Sequence, residues 1–193
     1  MNKAEIFQEE LNYIKNEEYK KSAQILLELV PDYFYEIPAA STGKYHPEFA
    51  QGEQGLVRHT KAAMRIAKDL LLLETYNKNY TQDEQDLMQI AILLHDSHKC
   101  GIIKEKYTRF DHPILAANFI KENKDKTSFN EEEIEFIAKA ISSHMGQWNT
   151  SEYSDVILPK PSNKYQTFVH QCDYISSKKY LNFEFDQNNN IIS

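Results

Sequence analysis

The sequence predicts an all-α fold, and three observations carry that prediction. Apolar residues recur at i, i+3 and i+4 steps along most of the 193 residues. Five glycines and six prolines are too few for many short strands joined by tight turns. Thr81 with Glu84, and Asn130 with Glu133, have the spacing of capping boxes, which open helices. Length and a 41% apolar content fit one domain spanning 1–193: an N-terminal helix and long loop over 1–54, a core over 55–179 and a tail over 180–193.

The elements follow in order. Ala4 to Val30 places Ile6, Leu11, Ile14, Ile25, Leu26 and Leu29 among Glu and Lys, predicting one long helix or two short ones that stop at Pro31. Pro31 to Gly55 is rich in aromatic, Pro, Gly and small polar residues and reads as an ordered loop of a length that usually serves a function. Gly55 to Leu73 resumes the helical pattern, with His59, Ala63, Ile66, Ala67 and Leu70 on one face. Thr81 opens a helix running through Met88 and Ala91 to His95, and His112-Pro113 reads as a helix start with Pro in the first turn. Asn130 opens the helix of Ile134, Ile137 and Ile141 leading to His144, with Glu131 to Glu133 as a favourable N-terminal charge patch. After a polar loop from Gly146 to Pro161, a helix is expected from about Asn163 to Lys178. The alternating tail from Tyr180 predicts a short strand or hairpin around Gln187 to Asn190.

A net charge of −7 argues against a general electrostatic grip on long nucleic acid, which needs many phosphates neutralised. No apolar run spans a bilayer and the N-terminus lacks a charged region followed by an apolar one, so the expectation is a cytoplasmic protein with no membrane partner. Cys100 and Cys172 form no CxxC pair and are read as reduced.

Several predicted helices carry a histidine at an inner or terminal position. His95-Asp96 closes the run Ala91-Ile92-Leu93-Leu94. A carboxylate buried there costs several kcal/mol, at order of magnitude, unless a cation offsets it, and a metal ion is such a cation. Imidazole with carboxylate suits Mn, Fe, Co, Ni or Zn.

His59, then His95-Asp96, then Asp173 resembles the H…HD…D signature of the HD-domain metal-dependent phosphohydrolases. The resemblance covers Leu56 to Lys179. Gly55-Leu56-Val57-Arg58-His59-Thr60 is similar to that family's first helix, and Ile92 to Lys99 to its HDxxK segment, with His98 standing where the family has glycine. His112, and His144 in Ser143-His144-Met145-Gly146, match histidines that two-metal members add. Ala39 to Ser41, His46-Pro47, Pro159-Lys160-Pro161 and Val169 to Asp173 are further similar to the HD portion of YhaM-type 3′-to-5′ exoribonucleases, whose OB-fold has no room in this chain.

The resemblance implies a helical bundle of the HD-domain type holding one or two divalent ions (Mn, Fe, Co, Ni, Zn or Mg). His59, His95, Asp96 and Asp173 would hold the first, with Asp96 bridging to a second on His112 and His144. Water would attack phosphorus, with Lys99 stabilising charge and Asp96 at the centre of the chemistry. Lys44, His46, Arg58 and Arg109 are candidate substrate contacts; Lys44 lies in no P-loop, His46 is equally read as a surface residue and Arg58 as a solvated helix residue. His98 and His170 are read as structural or as partners to ligands. Tyr33, Phe34, Tyr35, Tyr45 and Trp148 are read as packing residues rather than as a base-stacking platform. The implied activity is cleavage of a phosphate ester or anhydride of a small nucleotide. Alternatives are a 3′-to-5′ exonuclease on short single-stranded nucleic acid, a cyclic-nucleotide phosphodiesterase, and a catalytically degenerate nucleotide-binding regulator. Whether the chain self-associates into a homo-oligomer is left open by the sequence.

Overall fold

Backbone N–H groups in the first turn of a helix have no intrahelical acceptor, so helices start where a side chain supplies one. In the computed structural model, which describes residues 2–42 and 46–192, four starts obey this rule through side-chain oxygens. Among the described residues the α-helices are α1 (Gln8–Leu11), α2 (Glu17–Leu29), α3 (Gly55–Leu72), α4 (Glu74–Asn77), α5 (Gln82–Leu94), α6 (His112–Glu122), α7 (Glu131–Ser142) and α8 (Lys164–Ser176). Asn16 caps α2 and Asn163 caps α8. Thr81 with Glu84 and Asn130 with Glu133 form complete capping boxes on α5 and α7, as their spacing predicts.

The N-terminal pattern resolves into two pieces rather than one helix. A 3-10 turn (Lys3–Phe7) runs into α1, and α2 follows after a break at residues 12–16. The break is stabilised from outside, because the buried Asp86 carboxylate on α5 accepts Lys15 N at 3.0 Å and Asn16 N at 2.7 Å. The long loop carries two 3-10 turns, Asp32–Tyr35 and Glu48–Ala50. Gly55 lets the second turn dock on the start of α3: a Cβ there would lie 2.3 Å from Ala50 O. The expected C-terminal hairpin shrinks to one bridge, Phe185 to Ile191, closed by an Asp186 side chain that accepts Asn188 N and Asn190 N.

One apolar cluster runs from Ala4 and Phe7 through Leu26, Phe34, Met64, Ile92, Ile137 and Phe168 to Cys172. Helix α5 is its axis. It touches α3, α7 and α8, and every residue from Gln85 to Leu94 is buried, as suits a helix packed on all sides. The α6–α7 and α3–α8 pairs enclose it. Tyr33, Phe34 and Tyr35 are packed inside as expected, and Tyr45 lies outside the described residues. Cys100 and Cys172 are free and buried. Among the described residues no helix is long and apolar enough to cross a membrane.

Candidate metal centre

Because α5 is central, the residues at its C-terminal end arrive in the middle of the bundle. His95 caps α5 and Asp96 follows; His59 lies in the second turn of α3, His112 begins α6, His144 stands just past α7, and Asp173 lies in the last turn of α8. These six side chains, far apart in sequence, meet. His59 Nε2 is 3.1 Å and His95 Nε2 3.4 Å from Asp173 Oδ1. Asp96 turns its two oxygens to different neighbours. Oδ2 faces His95 Nε2 at 3.4 Å and His59 Nε2 at 3.7 Å, whereas Oδ1 faces His112 Nε2 at 3.0 Å and His144 Nε2 at 3.7 Å.

The other nitrogen of each ring explains the orientation. Nδ1 of His95 lies 2.6 Å from Ile92 O, that of His112 2.6 Å from Arg109 O, and that of His144 2.7 Å from Ile141 O. Ser176 Oγ donates to Asp173 O and so accepts from His59 Nδ1 at 3.2 Å. With the hydrogens placed by these acceptors, every Nδ1 donates and every Nε2 is turned to the common space, where a proton or a metal ion can sit. Metal-ligating histidines carry this arrangement of partners.

The donor set fits a cation. His59 Nε2, His95 Nε2 and Asp96 Oδ1 are buried without a hydrogen-bond partner among the described residues, although charged atoms lie within 4 Å: they converge without aligning as hydrogen bonds. The Nε2 atoms of His112 and His144 are 3.2 Å apart, where two lone pairs repel unless a proton or metal ion neutralises them. Two overlapping trios, His59–His95–Asp173 and His95–Asp96–His144, bring their donor atoms within 4.8 Å of one another.

Electrostatics follow from burial opposed by charge. Burial alone would raise the Asp96 carboxyl, but Lys99 and His95 hold it well below the usual range; the same burial at Asp173 is outweighed by His59 and His95. Burial lowers His95, yet Asp96 and Asp173 push it up to about 10. His144 is driven down to about 3 by burial and by His95. His59 is also lowered, chiefly by burial.

Lys99 places its ammonium on Asp96 Oδ2. His46 sets its ring nearly at right angles to that of His59, centroids 4.9 Å apart, and its buried Nδ1 has no partner among the described residues; burial lowers its pKa to about 3. Lys44 lies outside the described residues. Neither arginine has a free guanidinium. Arg58 donates to Phe49 O at 2.5 Å, Gln51 O at 2.8 Å, Glu53 O at 2.9 Å and Asn189 Oδ1 at 2.8 Å, so it braces the loop before α3. Arg109 is held bidentately by Asp111 at 2.7 Å and by Glu105 at 2.6 Å. A substrate phosphate would have to displace these contacts. His98 packs on Phe119, and burial lowers it to about 4.

Sequence reasoning missed two supports and one exposed ring. Ser176 orients His59, and no local pattern marks it. Tyr33 looks like packing, but its hydroxyl donates to Gly101 O at 2.5 Å and accepts from Cys100 N at 3.3 Å, pinning the segment after Lys99. Trp148 is 46% exposed rather than packed away.

Comparison with known proteins agrees with this geometry at the level of the family. A search of curated proteins and a search of solved structures each found no match. The family model described as HD domain matches residues 56–178, well over half the chain and all six converging residues. HD domains bind divalent metal ions and are in general metal-dependent phosphohydrolases, and this chain belongs to the HD-domain family.

Proposed function

We propose that this protein hydrolyses a phosphate ester or phosphoanhydride of a small nucleotide, with His59, His95, Asp96 and Asp173 holding one divalent ion and Asp96, His112 and His144 a second. The observation that carries the reading is the division of Asp96, whose Oδ2 faces His59 and His95 while Oδ1 faces His112 and His144. Imidazole-rich donors favour Mn, Fe, Co, Ni or Zn over Mg. Bound ions would supply Lewis acidity toward phosphoryl oxygens and a lowered pKa for the attacking water.

The chain's own residues supply the rest. Ile92 O, Arg109 O, Ile141 O and Ser176 Oγ hold the four imidazoles in one tautomer. Burial of Asp96 and the histidines keeps bulk water out, which strengthens each charge interaction. Lys99 balances Asp96 and is, among the described residues, a cation beside the site to meet negative charge developing on the phosphate. His46, neutral and with Nδ1 unpartnered, closes the His59 side and offers a hydrogen-bonding atom to the substrate.

Asp96→Ala, and chelation of the native protein, are each expected to abolish turnover, and Asp96→Ala to lose bound metal by elemental analysis. A panel of deoxynucleoside triphosphates, nucleoside monophosphates, cyclic dinucleotides and short single-stranded RNA and DNA tests the substrate class. Cleavage confined to oligonucleotides would replace the reading with exonuclease action. Nucleotide binding without hydrolysis in the metal-loaded protein would replace it with a regulator.

A further inference from the structure

Most donors of the centre are buried, and one reaches solvent. Asp96 and the four histidines are buried, whereas the Asp173 side chain keeps 20% of its surface in solvent. The next residue, Tyr174, is 37% exposed, and its ring stacks on Trp148, centroids 5.3 Å apart and planes 19° from parallel. Both rings are thus partly in water, one of them on the residue that follows Asp173, and the portion left uncovered by their mutual stacking and by Lys178 would gain by contact with a flat apolar partner.

The platform is braced from the centre outwards. His170 donates Nδ1–H to His144 O at 2.6 Å and lies 6.2 Å from Trp148 and 6.0 Å from Tyr174, ring to ring. Gly146, at φ +61°, admits the His170 ring, which a Cβ would approach to 2.2 Å. The loop from His144 to Trp148 therefore rests on the same histidine that touches Tyr174. Lys178 adds a cation 3.2 Å from the Tyr174 ring centroid and 5.9 Å from that of Trp148.

We propose that Trp148 and Tyr174 form a stacking site for the nucleobase of a nucleotide whose phosphate enters past Asp173. The proposal rests on the phosphohydrolase reading for the position of the phosphate, but base stacking is measurable without turnover. Stacking tolerates any base, since every base has a π face, so the site selects nucleotides over sugar phosphates without choosing among bases.

Trp148 is the one tryptophan of the chain, so intrinsic fluorescence reports on the platform directly. Adenosine 5′-monophosphate and ribose 5-phosphate would be titrated into the full-length protein, with free tryptophan amide as the absorption control. Saturable quenching by the nucleotide and none by the sugar phosphate is expected. Tyr174→Ala is expected to reduce the ratio of affinity for the nucleotide to that for ribose 5-phosphate roughly tenfold, by calorimetry. Trp148→Phe should restore most of the ratio that Trp148→Ala loses. A misfolded variant would lose both ligands together, leaving the ratio in place, and circular dichroism would identify it. No quenching, equal quenching by both ligands, or an unmoved ratio in folded variants overturns the platform. Quenching in a protein that hydrolyses nothing would overturn the phosphohydrolase reading instead.

Discussion

A neutral imidazole binds a cation through whichever nitrogen lacks a hydrogen, so the residue that takes the other hydrogen decides whether a histidine can be a ligand. Ser176 has that role for His59, and its own hydroxyl hydrogen is committed to Asp173 O. Ser176→Ala frees His59 Nδ1 and is predicted to weaken metal binding about 10- to 100-fold, measured by chelator competition, with the helical signal retained. This residue was not legible in the sequence, because serine three positions after an aspartate is common on any helix. The six converging residues were legible, since the His-Asp pair follows a long apolar run and the others stand in a recognisable order. Arg58 and Arg109 show the converse. A sequence displays a cation but not the carbonyls and carboxylates that occupy it.

At the scale of elements, what is encoded locally was readable. The capping boxes at Thr81 and Asn130 lie within four residues of their partners, and both form. Thr81→Ala removes the acceptor for Glu84 N and should lower stability by about 1 kcal/mol, read as a urea midpoint shift with unchanged slope. At the N-terminus the pattern left one long helix or two short ones open, and local sequence did not decide between them because Asp86, which holds the break, is some seventy positions away. Tyr33 illustrates the same limit: it lies before residues 56–178 that match the family model, yet it fixes the backbone beyond Lys99. Among the described residues the tail closes through one bridge, Phe185 to Ile191, flanked by backbone bonds from Asp186 N to Asn190 O and from Ile192 N to Glu184 O, with the Asp186 side chain holding the turn.

At the scale of the whole molecule, a buried ion pair links segments that no local pattern connects. Lys61 on α3 is 0% exposed, 3.4 Å from Glu10 Oε2 on α1 and 3.0 Å from Asn190 Oδ1 in the tail. Burial raises the Glu10 carboxyl above 4.5 despite Lys61 beside it. The sign follows: the unfolded chain releases this proton near pH 4.5, the folded chain holds it to higher pH, and across that interval the folded state binds more protons. Glu10 therefore makes stability fall as pH rises from about 4.5 towards neutrality. Urea titrations across that range should give a shallower decline in Glu10→Gln than in the parent, and parallel curves would refute the assignment.

The grip of Arg58 on Asn189 and of Lys61 on Asn190 flanks His59 on both sides. On the ribosome those two asparagines are added after all the residues proposed to hold metal, so the α3 histidine meets its final surroundings late in synthesis. A chain ending before them would carry every donor atom yet leave the Lys61 ammonium without its Asn190 acceptor.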